Sequence, residues 1–529
     1  MVPLYGAPYR IKSGVKREGF FRRFSFSAHS LISSATFSEQ KAAEKGEEAK
    51  TAIRINGTLT EASFFSDGKL EWKTETGSSR CLNVESEVLG VSSEGSGIRV
   101  RAFVERESRV RFFGSRRDRR NEDYLLEPFK EESKRVWLEK LTEYMSSLGR
   151  PKRLFILMNP FGGKKSAVKI FHREIRPLLQ AADIEYTLQE TKYQLHAKEI
   201  ANSLDLVKYD GIVCVSGDGV LVEVVNGLLQ RQDWEAAIKM PLGVIPAGTG
   251  NGMVKSLVDS VNDSCTVSNA TFAIIRGDFK YLGHKCSLDV STVWQEQTRF
   301  FSVLMLTWGF VADVDIESEK YRWMGSARLD FYCIVRTIHL RRYHGRVSFS
   351  PAPGYENYGD PLNHNNVASF NFASWNKIQE DGTKVELQGY QGPTLKDTEW
   401  RTMEGPFISV WLHNVPWATE DTMPAPDAKF SDGFLDLIII RDCPKTALIG
   451  LLTNMNDGSY VKSPYITYLK VRAFRLEPGQ RVGDLNKGGI IDSDGEVLAR
   501  GEGTYKYGKK DLMYYGPFQM TVDKVGSAA

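Results

Sequence analysis

The sequence predicts three units: a β-rich module, then an α/β domain, then a β-rich domain. Three observations predict them. Between residues 150 and 287, apolar runs alternate with helix-period patterns, and three of those runs end in glycine loops. From residue 288 the runs become strand-like: Phe300–Leu306, Phe407–Leu412, Gly433–Ile440, Thr467–Leu476 and Met520–Val522. Across 51–149, short β-like runs separated by glycine turns lead into one amphipathic helix.

The α/β domain carries the sharpest signal. The apolar run Ile212–Val215 stops at Ser216-Gly217-Asp218-Gly219, and a helical pattern starts at Val220. Leu154–Met158 is a second strand candidate, followed by Asn159-Pro160-Phe161-Gly162-Gly163-Lys164. Leu242–Ile245 is a third, followed by Pro246-Ala247-Gly248-Thr249-Gly250-Asn251. In an open α/β sheet such loops gather at the carboxyl ends of the strands, where ligands bind. Glycine lets backbone N–H groups approach a phosphate, and a helix N-terminus favours negative charge. A single loop of this kind reads as an ordinary tight turn; three in succession read as a polyphosphate site. Asp218 would repel phosphate, so its place between two glycines suits another task, taking the proton of an attacking hydroxyl.

Other phosphate motifs fail residue by residue. A Walker A loop ending at Gly163-Lys164 needs its first glycine at Met158, and Lys165 stands where Ser or Thr is required. A dinucleotide fingerprint from Gly217 or Gly248 needs a third glycine at Val222 or Met253. The HRD and DFG triplets of protein kinases are absent from the sequence. Asp492-Ser493-Asp494-Gly495-Glu496 places its glycine too early for a calcium loop, and Cys and His fall at no zinc spacing.

The surviving residues resemble the lipid-kinase superfamily of diacylglycerol, ceramide and sphingosine kinases. Ser-Gly-Asp-Gly at 216–219 resembles the sphingosine (long-chain base) kinase branch, and Trp308–Arg322, WGFVADVDIESEKYR, is similar to its signature. NPFGGKKSA, QETKYQLHAKE and IIDSDGEVLARG resemble its land-plant members, and the similarity runs from about Arg150 to about Val522. The fold this implies is a three-layer α/β domain like those of phosphofructokinase and NAD kinase, at 150–287. An antiparallel β-sandwich that encloses lipid follows at 288–525. The activity it implies is ATP-dependent phosphorylation of the primary hydroxyl of sphingosine and related bases, with Mg²⁺ carried on ATP, in sphingolipid metabolism and signalling.

The resemblance also implies roles. Asp218 is the base, and Ser216, Gly217 and Gly219 form the substrate and phosphate loop with it. Asn159, Pro160 and Phe161 form the first nucleotide loop. Thr191, followed by Lys192, Tyr193, Gln194 and Leu195, lies on the adenosine side. Glu223, Gly248, Thr249 and Gly250 complete the nucleotide contacts, with Asp494, Gly495 and Glu496 as a late acidic loop. Asp315 recognises the polar head of the base, and Arg322 and Arg328 bind phosphate. A carboxylate suits a head group that carries an ammonium and a hydroxyl; a salt bridge of Asp315 to Lys320 or Arg322 is the structural alternative. Arg322 and Arg328 would face apart on one continuous helix, so Gly325 predicts a turn between them. Kinase activity on ceramide or diacylglycerol, a non-catalytic lipid-sensing scaffold and another nucleotide enzyme remain the alternatives.

The flanks complete the reading. Net charge is +3, so no general nucleic-acid footprint is expected. Cys81, Cys214, Cys265, Cys286, Cys333 and Cys443 are scattered, which suits a reducing compartment. The best membrane-span candidate, Phe300–Ala312, is short and reads instead as a buried strand. The expectation is a cytoplasmic protein without a secretory signal, held peripherally on an endomembrane such as the vacuolar membrane. Residues 1–50 read as a flexible basic segment, with Phe20, Phe21, Phe24 and Phe26 set among lysines and arginines. A disordered tail, an anionic-membrane contact and a transit peptide all fit that composition.

In the 51–149 module, Ile53–Leu59, Leu70–Thr74 and Gly97–Val104 read as strands and Glu131–Leu148 as the closing helix. That pattern is pleckstrin-homology-like. Arg116-Arg117-Asp118-Arg119-Arg120 reads as an anionic-lipid patch or a solvated loop. In the 150–287 domain, Glu223 and Asn226 read as a polar helix face turned to the site. Residues 350–404, rich in Pro, Gly, Asn and charge, read as an insertion.

Overall fold

The computed structural model describes residues 47–106, 116–163, 165–277, 287–295, 298–325, 327–362, 389, 399–499 and 512–520. The basic segment before residue 47, Lys164, Cys286, most of the 350–404 stretch and the side chain of Arg322 lie outside them.

Asn56-Gly57 sets the first hairpin, joining β1 (Glu47–Ile55) to β2 (Thr58–Phe65). Both turn residues have positive φ, 49° and 85°, as a two-residue turn between right-twisted strands requires. The expected strand Ile53–Leu59 is therefore corrected, because it runs straight through this turn. β3 (Lys69–Lys73), β4 (Ser79–Asn83), β5 (Val88–Glu94), β6 (Gly97–Glu105) and β7 (Arg119–Pro128) complete an antiparallel sheet of order β4-β3-β2-β1-β7-β6-β5. Helix α1 (Glu131–Ser147) closes it, burying Trp137 and Leu141 against Ile53, Phe64 and Leu70.

The 116–120 cluster is corrected as well, since it docks this module onto the next domain. Arg119 Nη1 donates to Asp263 Oδ2 at 2.7 Å, and Arg117 Nε pairs with Asp263 Oδ1 at 2.9 Å. Arg116 pairs with Asp259, while Arg120 stays on the surface beside Glu122. A guanidinium that leaves water needs a carboxylate partner, and Asp263 supplies one to Arg119 where both are buried. Phe103 packs edge-on to Phe272 with ring centroids 5.0 Å apart, which extends the same interface.

Four strands form the sheet of the α/β domain: β8 (Arg153–Met158), β9 (Glu185–Glu190), β10 (Gly211–Ser216) and β11 (Leu242–Pro246). They are parallel in the order β11-β10-β8-β9. Every residue of β10 is buried, as expected for a central parallel strand with both faces covered. The helices include α2 (His196–Ser203), α3 (Asp218–Leu229), α4 (Gly252–Ser260) and α5 (Val267–Arg276). Parallel strands bring the loops after β8, β10 and β11 to one edge.

The third unit contains β12 (Leu288–Gln295), β13 (Thr298–Ser302), β14 (Met305–Gly309), β15 (Tyr343–Pro351), β16 (Asp360–Pro361) and β17 (Arg401–Glu404). It continues through β18 (Ser409–His413), β19 (Leu435–Ile440), β20 (Thr467–Arg481), β21 (Asp484–Gly488), β22 (Ile491–Ser493), β23 (Glu496–Ala499) and β24 (Leu512–Met520). Its ladders are antiparallel, in the main order β13-β12-β24-β20-β19-β18-β14-β22-β23. Of the last expected strand, Met520–Val522, Met520 ends β24 and the other two residues lie outside the described ones.

The expected single strand Phe300–Ala312 is three elements, β13, β14 and helix α6 (Phe310–Glu317). Gly309, at φ 86°, turns the chain from β14 into α6, and a Cβ there would sit 2.5 Å from the Ile408 carbonyl oxygen. Helices α7 (Ala327–Ile338) and α8 (Lys445–Thr453) join α6 on one face of the sheet. The opposite face buries Val293, Trp308, Phe349, Leu437 and Val471. Under the helices lie Phe310, Trp411, Ile438, Leu448 and Leu451.

Asn226 is also reassigned. Its amide donates to Phe301 O at 2.7 Å and accepts from Phe301 N at 2.9 Å, so it fastens α3 to β13 instead of facing the glycine-loop edge.

Candidate active site

The three glycine loops meet. A Cβ on Gly248 would lie 2.3 Å from the Gly217 Cα, and one on Gly163 would lie 2.9 Å from the Ala247 carbonyl oxygen. Larger residues would push these loops apart. By contrast, a Cβ on Gly219 would meet nothing within 4 Å, and Thr249 is exposed. The edge therefore keeps an open face bordered by backbone. Asn251, at φ 59°, fixes the third loop: its Oδ1 accepts from Gly248 N at 3.0 Å and its Nδ2 donates to Glu420 Oε1 at 2.7 Å. The sequence reading missed Glu420, which lies far along the chain.

Asp218 occupies the first turn of α3 and faces the N-terminus of α4. Its Oδ2 accepts from Gly252 N at 2.8 Å and its Oδ1 from Met253 N at 3.0 Å. Burial pushes its pKa up from the ordinary value of 3.8; the two backbone donors oppose that rise and Glu420 adds to it. These donors fix the orientation of the carboxylate. Ser216, beneath it, is buried and donates to Gly217 O at 2.6 Å.

Asp218 and Gly219 open onto a cavity of about 760 Å³ between the sheet and α6, α7 and α8. Leu304, Val314, Leu329, Ile334, Trp411 and Leu452 give it apolar walls, while Asp218, Asp315, Asp330, Asp421 and Asp494 give it carboxylates. Asp330 and Asp421 were not anticipated, because neither sits in a recognisable motif.

Asp315 lines this cavity and is held by Arg328, whose Nη2 lies 3.5 Å from Asp315 Oδ1 and whose Nη1 donates to Asp315 O at 2.9 Å. Arg328 also donates to the Ser318 hydroxyl and is buried. The predicted turn is present, with Gly325 at φ 64° between the 3₁₀ segment Ser318–Met324 and α7. It brings Arg328 back onto Asp315, while the side chain of Arg322 lies outside the described residues.

The residues expected on the adenosine side gather beyond β9. Thr191 is buried and its N–H donates to Met158 O at 2.9 Å. Lys192 N donates to His196 Nδ1 at 3.1 Å, and Tyr193 donates to Glu199 at 2.6 Å. Leu195 adopts φ 69° just before α2, and Glu223 Oε2 accepts from Ala197 N at 3.0 Å, holding the start of that helix. Gln194 Nε2 reaches Glu496 Oε2 at 2.8 Å, so the late acidic loop does meet this side. In the first loop Asn159 Oδ1 accepts from Phe161 N at 2.9 Å and Gly162 N at 3.1 Å, leaving Pro160 at the bend and the Phe161 ring outward.

Asp494 differs from the rest of its loop. Its carboxylate accepts from the N–H groups of Val303, Leu304 and Met305 at 3.2, 2.9 and 2.8 Å, so it ties the β13–β14 turn. Burial pushes it up to about 6. Asp494 and Gly495 both have positive φ, 53° and 83°, which makes the tight turn between β22 and β23.

A glycine-loop edge joined to an acid-lined apolar cavity defines the lipid-kinase class, and the comparisons agree. Residues 153–282 match the diacylglycerol kinase catalytic domain, and residues 367–507 match the YegS C-terminal NAD kinase beta sandwich-like domain. The chain is 54% identical to sphingosine kinase 2 of Arabidopsis thaliana, over 89% of its own length and 95% of that protein. It is 52% identical to sphingosine kinase 1 of Arabidopsis thaliana, over 89% and 94%. Sphingosine kinase 1 of Homo sapiens is 33% identical over 66% of this chain and 87% of the human protein. The chain belongs to the sphingosine kinase family.

Proposed function

We propose that this protein transfers the γ-phosphoryl group of ATP to the primary hydroxyl of a long-chain sphingoid base. The observation that carries this reading is the cavity of about 760 Å³, apolar along its walls and opening onto Asp218 and Asp315. The triphosphate lies across the open faces of the loops after β8, β10 and β11, with the adenosine beside Thr191–Leu195, Glu223 and Glu496. The long alkyl tail fills the cavity. Asp315 accepts hydrogen bonds from the polar head, and Arg328 keeps it oriented. Asp218 then takes the proton of the primary hydroxyl as that oxygen attacks phosphorus in line. Arg322 is the remaining cation proposed for the transferring phosphoryl group. Among the described residues no cluster of three His, Cys, Asp or Glu could cage a metal. Mg²⁺ fits as an ion held mainly by the nucleotide's own phosphates and water, and it supplies charge neutralisation there. The division into 51–149, 150–287 and 288–525 is part of the same reading.

The protein meets its lipid at a membrane surface. No helix among the described residues is long and apolar enough to cross one. Beside the cavity, Ile334, Ile338 and Ile449 are 61%, 58% and 54% exposed, and Trp323 is 82% exposed. Such an apolar patch at the edge of a lipid cavity supports peripheral docking, with anionic lipids of an endomembrane as the proposed surface. Ile338→Asp is expected to weaken co-sedimentation with anionic vesicles and leave ATP binding unchanged. Undiminished sedimentation would remove the patch from the docking surface.

A further inference from the structure

Asp492 is a buried carboxyl that the mechanism above leaves unused. It lies in β22 opposite Thr307 of β14 and is fully inaccessible to solvent. No side chain donates to either of its oxygens, and the Thr307 hydroxyl across the ladder lacks a partner too. Helix α6 covers the hairpin, with Ala312 and Ile316 packed on Ile490 and Val497. That brings Asp315 close. Burial comes first in raising Asp492 well above an ordinary carboxylate, repulsion from Asp315 and Asp494 adds to it, and only the Gly495 N–H eases it. An unpartnered buried polar group is costly and calls for an explanation, and a ligand that completes it is one.

The charges around it narrow the ligand. Asp494 is occupied by three backbone donors. Asp315 is already offset by buried Arg328 at 3.5 Å. A cationic head group set against Asp315 alone would meet a pair whose charges cancel. Ionised opposite a bound cation, Asp492 restores a net negative charge beside the cavity-lining Asp315, Asp494 and Gly495.

We propose that Asp492 is a specificity-determining residue of the acceptor site, forming with Asp315 a two-carboxyl pocket completed by the ammonium of the sphingoid base. This rests on the function proposed above. A neutral acceptor of the same shape brings no countercharge, so discrimination against it is electrostatic as well as steric.

The test uses the full chain with Asp492→Asn and Asp492→Leu. It compares sphingosine with an analogue whose amine is replaced by hydroxyl, and reads KM for lipid, KM for ATP and melting temperature. For Asp492→Asn, the sphingosine KM is expected to rise about tenfold and the preference over the neutral analogue to fall by a similar factor, with the ATP KM within about twofold. Asp492→Leu is expected to melt no lower than the parent, because it removes an unpaired buried carboxyl. An unchanged sphingosine preference in folded Asp492→Asn overturns the proposal. So does a loss of cooperative unfolding in both variants, which would mark a structural carboxyl. A parent protein inactive on every free base would instead sink the proposed function itself; an active parent matched by Asp492→Asn sinks only this inference.

Discussion

Asp218 sits where three physical demands meet. The loop needs glycine at 217, where a Cβ would press on Gly248, the carboxylate needs two backbone donors to hold its orientation, and burial raises its affinity for a proton. Asp218→Asn keeps the shape and removes the base, so kcat should fall about 10²- to 10⁴-fold. Its ATP affinity should match the parent and its melting temperature should fall only slightly, because the amide nitrogen cannot accept from one of the two backbone donors, as checked by thermal scanning and nucleotide titration. Because the working form is the carboxylate and its pKa is raised, activity should be lost on acidification at a pH above the 3.8 of a free aspartate. An acidic limb of kcat/KM at or below that value would contradict the assignment. Asp315→Asn should raise the KM for lipid and leave that for ATP; melting is read alongside, since buried Arg328 leans on this carboxylate. The sequence made Asp218 and Asp315 visible because each stands in a motif. Asp492 and Glu420 were not legible, because their importance comes from neighbours far along the chain.

At the scale of elements, apolar runs located β8, β10 and β11 within a residue or so, since a buried parallel strand is apolar throughout. The same rule misled at Phe300–Ala312. Continuous burial there hides a turn held by Asp494 and a strand-to-helix bend at Gly309, and burial alone does not distinguish strand from helix. Asn56-Gly57 was a legible hairpin turn that the pattern of apolar residues overrode. The arginines of 116–120 carried no local sign of their partners, because Asp259 and Asp263 belong to another element. Arg119→Ala leaves buried Asp263 leaning on Arg117 alone of the two arginines and should cost less than the about 3–5 kcal/mol of a buried carboxylate left unpaired. The check is denaturant unfolding, together with protease sensitivity of the module. Unchanged stability would mean that the module is not held by this pair. Gly248→Ala should cripple nucleotide binding, since its Cβ would drive the second and third loops apart.

Across the whole molecule, the three units share contacts that no single segment reveals. Leu89 and Phe103 of the first unit, the α/β sheet, and Val290, Phe301 and Leu304 of the third unit belong to one continuous core. Buried carboxyls make this assembly sensitive to pH. Burial pushes Asp289, Asp436 and Asp494 up to about 6. A carboxyl with a raised folded pKa contributes stability that is fully present below about 3.8 and lost as pH rises through about 6. His413, buried and pushed down to about 3, acts in the opposite sense over the same range. Three groups outweigh one, so the melting temperature should rise as pH is lowered from about 7.5 to about 5.5. A monotonic fall over that range would show that other groups dominate. One experiment bears on all three scales: transfer of labelled phosphate from ATP to a panel of sphingosine, phytosphingosine, ceramide and diacylglycerol, with Asp218→Asn in parallel. Labelled product from the free bases alone, abolished in the variant, is the expected result. Transfer to ceramide or diacylglycerol but not to free bases, or activity that survives Asp218→Asn, would contradict it.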